Sequence, residues 1–300
     1  MRDVRRIAQV LTLITTVLFA GAFDQGARAQ APNYAQERAQ RAQGLTRPYG
    51  WFSLVALDWL KPGTSTIGSA RDNSIVLPGA PAHLITLEQK DGKVTLLKAD
   101  PSLTSQGKPV VSGAIFGDGE DDAAALTSGT LRLWAIDRGG KRYLRVKDSG
   151  APALKHFHGL NWYPPEGHYR VEARWVPYTT PHTLRVLNKL GQITPVKVPG
   201  YAEFELDGVK LQLTPMEADK DGLFFVFRDV TAKTTTDGGG RFLSTSAPSA
   251  GLDKPGTVVL DFNEAVNPPC AYSPYATCPL ASPENRLTVA VKAGEKRYED

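Results

Sequence analysis

The chain has 300 residues, 41% of them apolar and 22% charged, with a formal net charge of +4. Those proportions exclude a disordered or fibrous protein and leave one large or two ordinary domains, enough for a buried core. The 28 glycines and 22 prolines favour many turns, and hence short strands over long helices.

Residues 1–29 read as a secretory signal. Arg2, Arg5 and Arg6 precede an apolar run from Ile7 to Ala22, and Ala27-Arg28-Ala29 offers a small-x-small cleavage site. A membrane anchor is the competing reading, but the run is short for a full span and is interrupted by Gln9, Thr12, Thr15 and Thr16. No cysteine lies near it, so a lipid anchor has no support. The signal carries four basic and two acidic side chains, and without it the net charge falls to +2. A near-neutral mature chain gives no reason to expect nucleic acid or an anionic membrane as partner. The expected location is periplasmic or secreted, after cleavage near Ala29.

Residues 30–48 are polar and rich in Ala, Gln and Arg. They form either one short helix opening at Asn33, with Tyr34 and Leu45 touching the body, or a disordered leader. From Trp51 short β segments take over. Thr64–Gly68, Ser74–Leu77, His83–Glu88 and Val94–Leu97 read as strands, with Asp91-Gly92 making a strong hairpin turn. Asp118–Asp122 reads as an acidic surface loop. Leu131–Asp137 and Lys141–Val146 form a second hairpin around Arg138-Gly139-Gly140. Turns this frequent predict a β-sandwich over 49–149.

Thr66-Ile67-Gly68-Ser69, Asn73–Leu77 and His83 resemble the opening of a forkhead-associated (FHA) domain. Ser69 stands where that family places its phosphate-binding arginine, and Ala80-Pro81-Ala82-His83 lacks the family's serine. The resemblance implies FHA-like sandwich geometry and no phosphopeptide binding.

Ser149-Gly150-Ala151-Pro152 marks the boundary to a C-terminal β domain, 150–300, a sandwich or barrel packed against the first. Its strands are expected at Tyr169–Val176, Thr183–Asn188, Ile193–Val198, Ala202–Leu206, Val209–Leu213, Gly222–Arg228, Arg241–Ser244, Thr257–Phe262 and Leu287–Val291. In Gly222–Asp229, alternation puts Leu223, Phe225 and Phe227 on one face and Phe224, Val226 and Arg228 on the other. Apolar side chains on both faces mark a central strand. Asp261 sits on a strand that is otherwise core-facing, so it demands a partner, with Arg228 or Arg241 the candidates. Either the pair is structural, or one guanidinium is left to grip an anion with its planar fork.

Other chemistries find less support. Asp237-Gly238-Gly239-Gly240-Arg241 has no Lys-Ser/Thr ending and is read as a turn, not a phosphate loop. Cys270 and Cys278 close a short Pro/Tyr/Ala-rich loop. In an exported chain with only these two, a disulfide worth about 2–3 kcal/mol is expected over a catalytic thiol or a zinc site. His156, His158, Glu166 and His168 make a conceivable metal cluster, but their spacing departs from cupin order, and surface or structural roles are favoured; no metal or cofactor is expected. No G-x-S-x-G elbow occurs.

Several blocks share one resemblance: Phe225–Thr231, Gly238–Leu243, Asp261–Ala265, Asn267-Pro268-Pro269-Cys270-Ala271, Ala276-Thr277-Cys278-Pro279 and Glu284-Asn285-Arg286-Leu287. With Trp51, Trp59-Leu60-Lys61 and Tyr169–Arg174, the chain is identified as a member of a prokaryotic exported family of unknown function. That implies no activity. Two readings are carried forward. In one, Arg228, Asp229, Arg241, Asp261, Asn263, Asn267 and Asn285 form a mouth for a small polar or anionic ligand or cell-envelope component. In the other, the chain is a hydrolase with Asp261 or Asp229 as general acid/base and Arg228 and Arg241 stabilising charge. Because arginine neighbours lower a carboxylate's pKa, binding is preferred.

Overall fold

The computed structural model describes residues 32–110, 112–113 and 125–299. The signal segment and the acidic stretch Asp118–Asp122 lie outside them. Tyr34–Asp300 forms one compact unit, and its secondary structure is almost entirely β. Among the described residues no helix is long and apolar enough to cross a membrane.

The helix alternative holds for the leader: Tyr34–Thr46 is α-helical, with Leu45 buried. Beyond it, a six-stranded sheet and a four-stranded sheet face each other. The first turns Ala56, Leu131, Leu133, Ala135, Leu144 and Val146 inward, and the second supplies Ile67, Ile85, Leu87, Val94 and Leu96 to the same core. Period-two alternation explains this, since alternate residues of strands such as Leu131–Arg138 and Lys93–Ala99 are apolar and buried. The hairpin at Asp91-Gly92 closes with both residues at positive φ, the backbone that a tight two-residue turn between twisted strands requires.

The C-terminal half repeats the scheme. A four-stranded sheet contains Val209–Leu213, Ile193–Leu206, Arg170–Leu187 and Gly256–Asp261 in that order. A three-stranded sheet contains Glu217–Ala218, Gly222–Phe227 and Arg241–Ser246. Trp175, Phe204, Phe225, Phe227, Leu260 and Phe262 fill the space between them. Gly222–Phe227 is the central strand of its sheet, with Phe225 and Phe227 fully buried.

Three sequence expectations need correction. Tyr169–Val176 and Thr183–Asn188 belong to one strand, Arg170–Leu187, whose register shifts between Pro177 and His182; Ile193–Leu206 likewise runs unbroken. Leu287–Val291 is not a strand. It lies irregularly along residues 228–231, where Leu287 N–H donates to the Arg228 carbonyl and Val291 N–H to Asp229 Oδ2. Finally, no disulfide joins the cysteines: Cys270 and Cys278 are free thiols. The Cys270 backbone N–H donates to Cys278 Sγ at 3.2 Å, and both pack with Leu54, Trp51, Ala276 and Phe242. Packing and that hydrogen bond hold the loop, so the expected cross-link energy is absent.

Candidate functional site

The seven residues expected to share one mouth occupy four different settings. Asp229 and Arg241 form a sealed pair, each side chain 1% exposed, with Nη2 to Oδ2 at 3.2 Å. Asp229 also accepts from Thr231 Oγ1 at 2.7 Å and Val291 N at 2.6 Å. Arg241 donates to the Ala293 and Val291 carbonyls and lies over the Phe227 ring. Gly240 places it there: its φ is +110°, and a Cβ would meet the Phe227 carbonyl oxygen at 2.6 Å. Neither charge faces a ligand. The glycine triplet is a turn that admits a buried arginine.

Asn285 is a clip. Its Oδ1 accepts from Thr214 N, and its Nδ2 donates to the Thr214 and Val226 carbonyls. Arg228, half-buried beside it, joins through backbone hydrogen bonds to Asn285 and Leu287. Asn267 lies elsewhere. Its backbone N–H donates to Glu295 Oε2 and its Nδ2 to the Lys296 carbonyl. Glu295, 0% exposed, takes a 2.7 Å hydrogen-bonded ion pair from Arg41 Nε and a hydrogen bond from the Tyr272 hydroxyl. This buried knot ties the helix Tyr34–Thr46 to the C-terminal tail.

Asp261 and Asn263 do come together, and with partners the sequence did not single out. The register between Arg170–Leu187 and Gly256–Asp261 sets Arg170 opposite Asp261, and Arg170 Nε reaches Asp261 Oδ2 at 3.3 Å. Arg170, rather than Arg228 or Arg241, is therefore the cation that meets this carboxylate. The Tyr34 hydroxyl donates to the same oxygen at 2.7 Å, while Oδ1 accepts from Asn263 N and Nδ2. Asn263 in turn clamps the Glu166 backbone through both ends of its amide. Burial, and then the hydrogen bond to Asp261, push the Tyr34 hydroxyl up to about 12.

Around this cluster two hollows open. One, of about 340 Å³, is lined by Arg170, Asp261 and Glu264 together with Ser244, Ser246, Ser249 and Thr257. The other, of about 240 Å³, is lined by Tyr34, Arg38, Trp162, Asn263 and Glu264. Glu264 stands on the wall common to both. It keeps an exposed edge, but partial desolvation first, and then the charges of Asp261 and Glu37, push its carboxyl up to about 7 against the opposing pull of Arg170. An acid held near neutrality beside a salt-bridged carboxylate can take or give a proton at physiological pH. Arg170 and Glu264 each had a signal, as charged members of the Tyr169–Arg174 and Asp261–Ala265 blocks.

The histidines disperse: His168 pairs with Asp207 at 2.8 Å and His158 stacks on Tyr298. Among the described residues no His, Cys, Asp or Glu group has metal-binding geometry.

The model of a family described as "Protein of unknown function (DUF1684)" matches residues 155–296, which contain Asp261, Asn263, Glu264 and Arg170. No curated protein matches the chain. A solution NMR structure of an uncharacterized protein from Haloarcula marismortui is 33% identical, over 47% of this chain and 78% of that one, with a TM-score of 0.40.

Proposed function

Residues 155–296 place the chain in a family of unknown function, and on that premise we propose that it binds a small polar ligand in the cleft walled by Arg170, Asp261 and Glu264. The supporting observation is the composition of the 340 Å³ hollow. One cation, two carboxyl groups and the hydroxyl-bearing side chains of three serines and two threonines line it. The sign of the cleft favours a neutral, hydroxyl- or amine-bearing ligand over the anion expected from the arginines, since Arg241 is sealed and Arg170 already meets Asp261. A thermal-shift screen with small polyols, amines and carboxylates tests this. Compounds that stabilise the native chain are expected to lose their effect in Arg170→Ala and Glu264→Gln. Shifts that survive in both variants place the ligand elsewhere.

The hydrolase reading persists in altered form because of Glu264. Asp229 is sealed and Asp261 is occupied by donors, whereas Glu264 opens to both hollows with its carboxyl near 7. Glu264 is then the general acid/base, and its rate profile bends near pH 7. We also read the chain as exported, on the basic, apolar and small-residue segments of 1–29. Mass measurement of protein recovered from the periplasm is expected to show a chain starting near Gln30. A full-length mass in the cytosolic fraction rejects export.

A further inference from the structure

The carboxyl cleft makes no use of one end of the molecule, where four turns meet. Gly63 pairs with Gln89, so the turn at 61–63 lies beside the hairpin turn at 90–93. Arg142 Nε donates to the Gly92 carbonyl at 2.7 Å, which brings in the hairpin turn at 138–141. Gln192 Nε2 donates to the Arg138 carbonyl, also at 2.7 Å. That adds the turn at 188–192, which joins Arg170–Leu187 to Ile193–Leu206. The Trp59-Leu60-Lys61 block runs into the first of these turns, and Lys61 Nζ and Lys141 Nζ lie over the Trp59 ring at 5.8 and 4.7 Å.

Apolar and basic side chains are interspersed over this end. Leu184, Val186 and Val198 of the long hairpin are buried, so Leu187 and Ile193, paired directly across it, face water at 41% and 51% exposure. Leu190 stands at the crest between them, 39% exposed. Asn188 Oδ1 fixes that crest by accepting from Leu190 N and Gln192 N. With Trp59 at 43%, four large apolar side chains are exposed at one end, where a protein surface ordinarily scatters them singly. Around them Lys61, Lys90, Lys93, Lys141 and Lys189 are exposed, and among the described residues none of the five forms an ion pair. Arg185 and Lys197 extend the basic face along the hairpin. Acids are fewer. Beside Asp91, Asp137 accepts from Gly140 N and lies 3.9 Å from Arg142, and Asp237 accepts from Gly239 N. The mature chain is near neutral in sum, but this end is not.

We propose that this end docks on an anionic phospholipid bilayer, with Leu187, Leu190, Ile193 and Trp59 entering the interfacial layer and the five lysines pairing with lipid phosphates. Clustered lysines without acid partners attract an anionic membrane surface. An indole between lysines suits the headgroup level, where one edge of the ring is apolar and the other wet. Apolar side chains held on short hydrogen-bonded turns enter without first ordering a loop. A soluble polyanion would engage the lysines and leave the four apolar side chains in water. This surface uses none of the residues that line the carboxyl cleft.

Sedimentation with lipid vesicles tests it, on the chain from Gln30 onward, which holds the whole compact unit Tyr34–Asp300 and lacks the apolar run of 1–29. Vesicles of phosphatidylcholine mixed with phosphatidylglycerol are expected to bind about tenfold more tightly than phosphatidylcholine alone, and less as salt rises. Lys141→Glu combined with Lys189→Glu is expected to weaken binding about tenfold or more. Leu190→Ser combined with Ile193→Ser is expected to weaken it about tenfold at an unchanged melting temperature, since both side chains are exposed. Brominated acyl chains are expected to quench the tryptophan emission of the wild type, and Trp59→Phe to remove that quenching. Binding to neither vesicle overturns the proposal, as does equal binding to both, or quenching that survives in Trp59→Phe. Either double variant binding as tightly as the wild type also overturns it; loss in the lysine variant alone assigns the surface to a soluble polyanion instead.

Discussion

Asp261 and Glu264 are three residues apart and live under different rules. The first is surrounded by donors from Arg170, Tyr34 and Asn263; the second has burial and like charge acting on it, which raise its carboxyl from 4.5 to about 7. A raised acid pKa means that the folded chain holds a proton that the unfolded chain has released, so stability falls as pH rises from about 4.5 to about 7 and is level above that. Glu264→Gln should abolish this slope. The variant is expected to melt above the wild type at pH 8 and together with it at pH 4, measured by calorimetry; parallel melting at both values contradicts the assignment. The Asp229–Arg241 pair makes the contrasting case. Both groups are dry, so removing one leaves the other charged and buried, and Arg241→Met is expected to cost about 3–5 kcal/mol in urea unfolding. Ligand-induced thermal shifts should be unchanged in any Arg241 variant that still folds.

At the scale of elements, the helix Tyr34–Thr46 is fastened more firmly than its polar composition suggests. Arg41 enters Glu295, the Asn267 carbonyl and the Tyr272 hydroxyl, while Arg38 lies over Trp162 and donates to the Tyr163 carbonyl. Arg41→Ala strands the fully buried Glu295 and is expected to cost about 3–5 kcal/mol. Arg38→Ala, at the rim, should cost about 1 kcal/mol or less. Denaturant midpoints compare the two directly, and equal losses would show that the knot is not what fastens the helix. The hairpins were legible from their Asp-Gly and Gly-Gly turns because those residues favour the positive-φ backbone that a tight turn requires. The long strand Arg170–Leu187 was not, because Pro177 and the threonines after it read as a break, while the structure absorbs them as a shift in register. The two-faced apolar pattern of Gly222–Phe227 identified a central strand correctly. Which arginine meets Asp261 could not be read, because that depends on the register between strands far apart in sequence.

Across the whole molecule, two cores share one body. Ser273 Oγ donates to the Leu54 carbonyl, Arg138 Nε to Thr277 Oγ1 and Gln192 Nε2 to the Arg138 carbonyl, and Leu54 packs with Ala276 and Cys278. These contacts bind residues on either side of 149 and leave Tyr34–Asp300 compact as one unit. A single unfolding transition is expected, with tryptophan fluorescence and far-ultraviolet dichroism giving the same midpoint. Two midpoints would show that the sandwiches melt separately. A boundary at Ser149–Pro152 was expected from its turn residues, and the side chains that reach across it leave no local pattern in the sequence.

The knot of Arg41 with Glu295 joins residues 254 positions apart. The strands between them also pair over long stretches of sequence, so closing the knot costs loop entropy that no local contact offsets. The helix is therefore expected to dock late in folding, after those strands have paired.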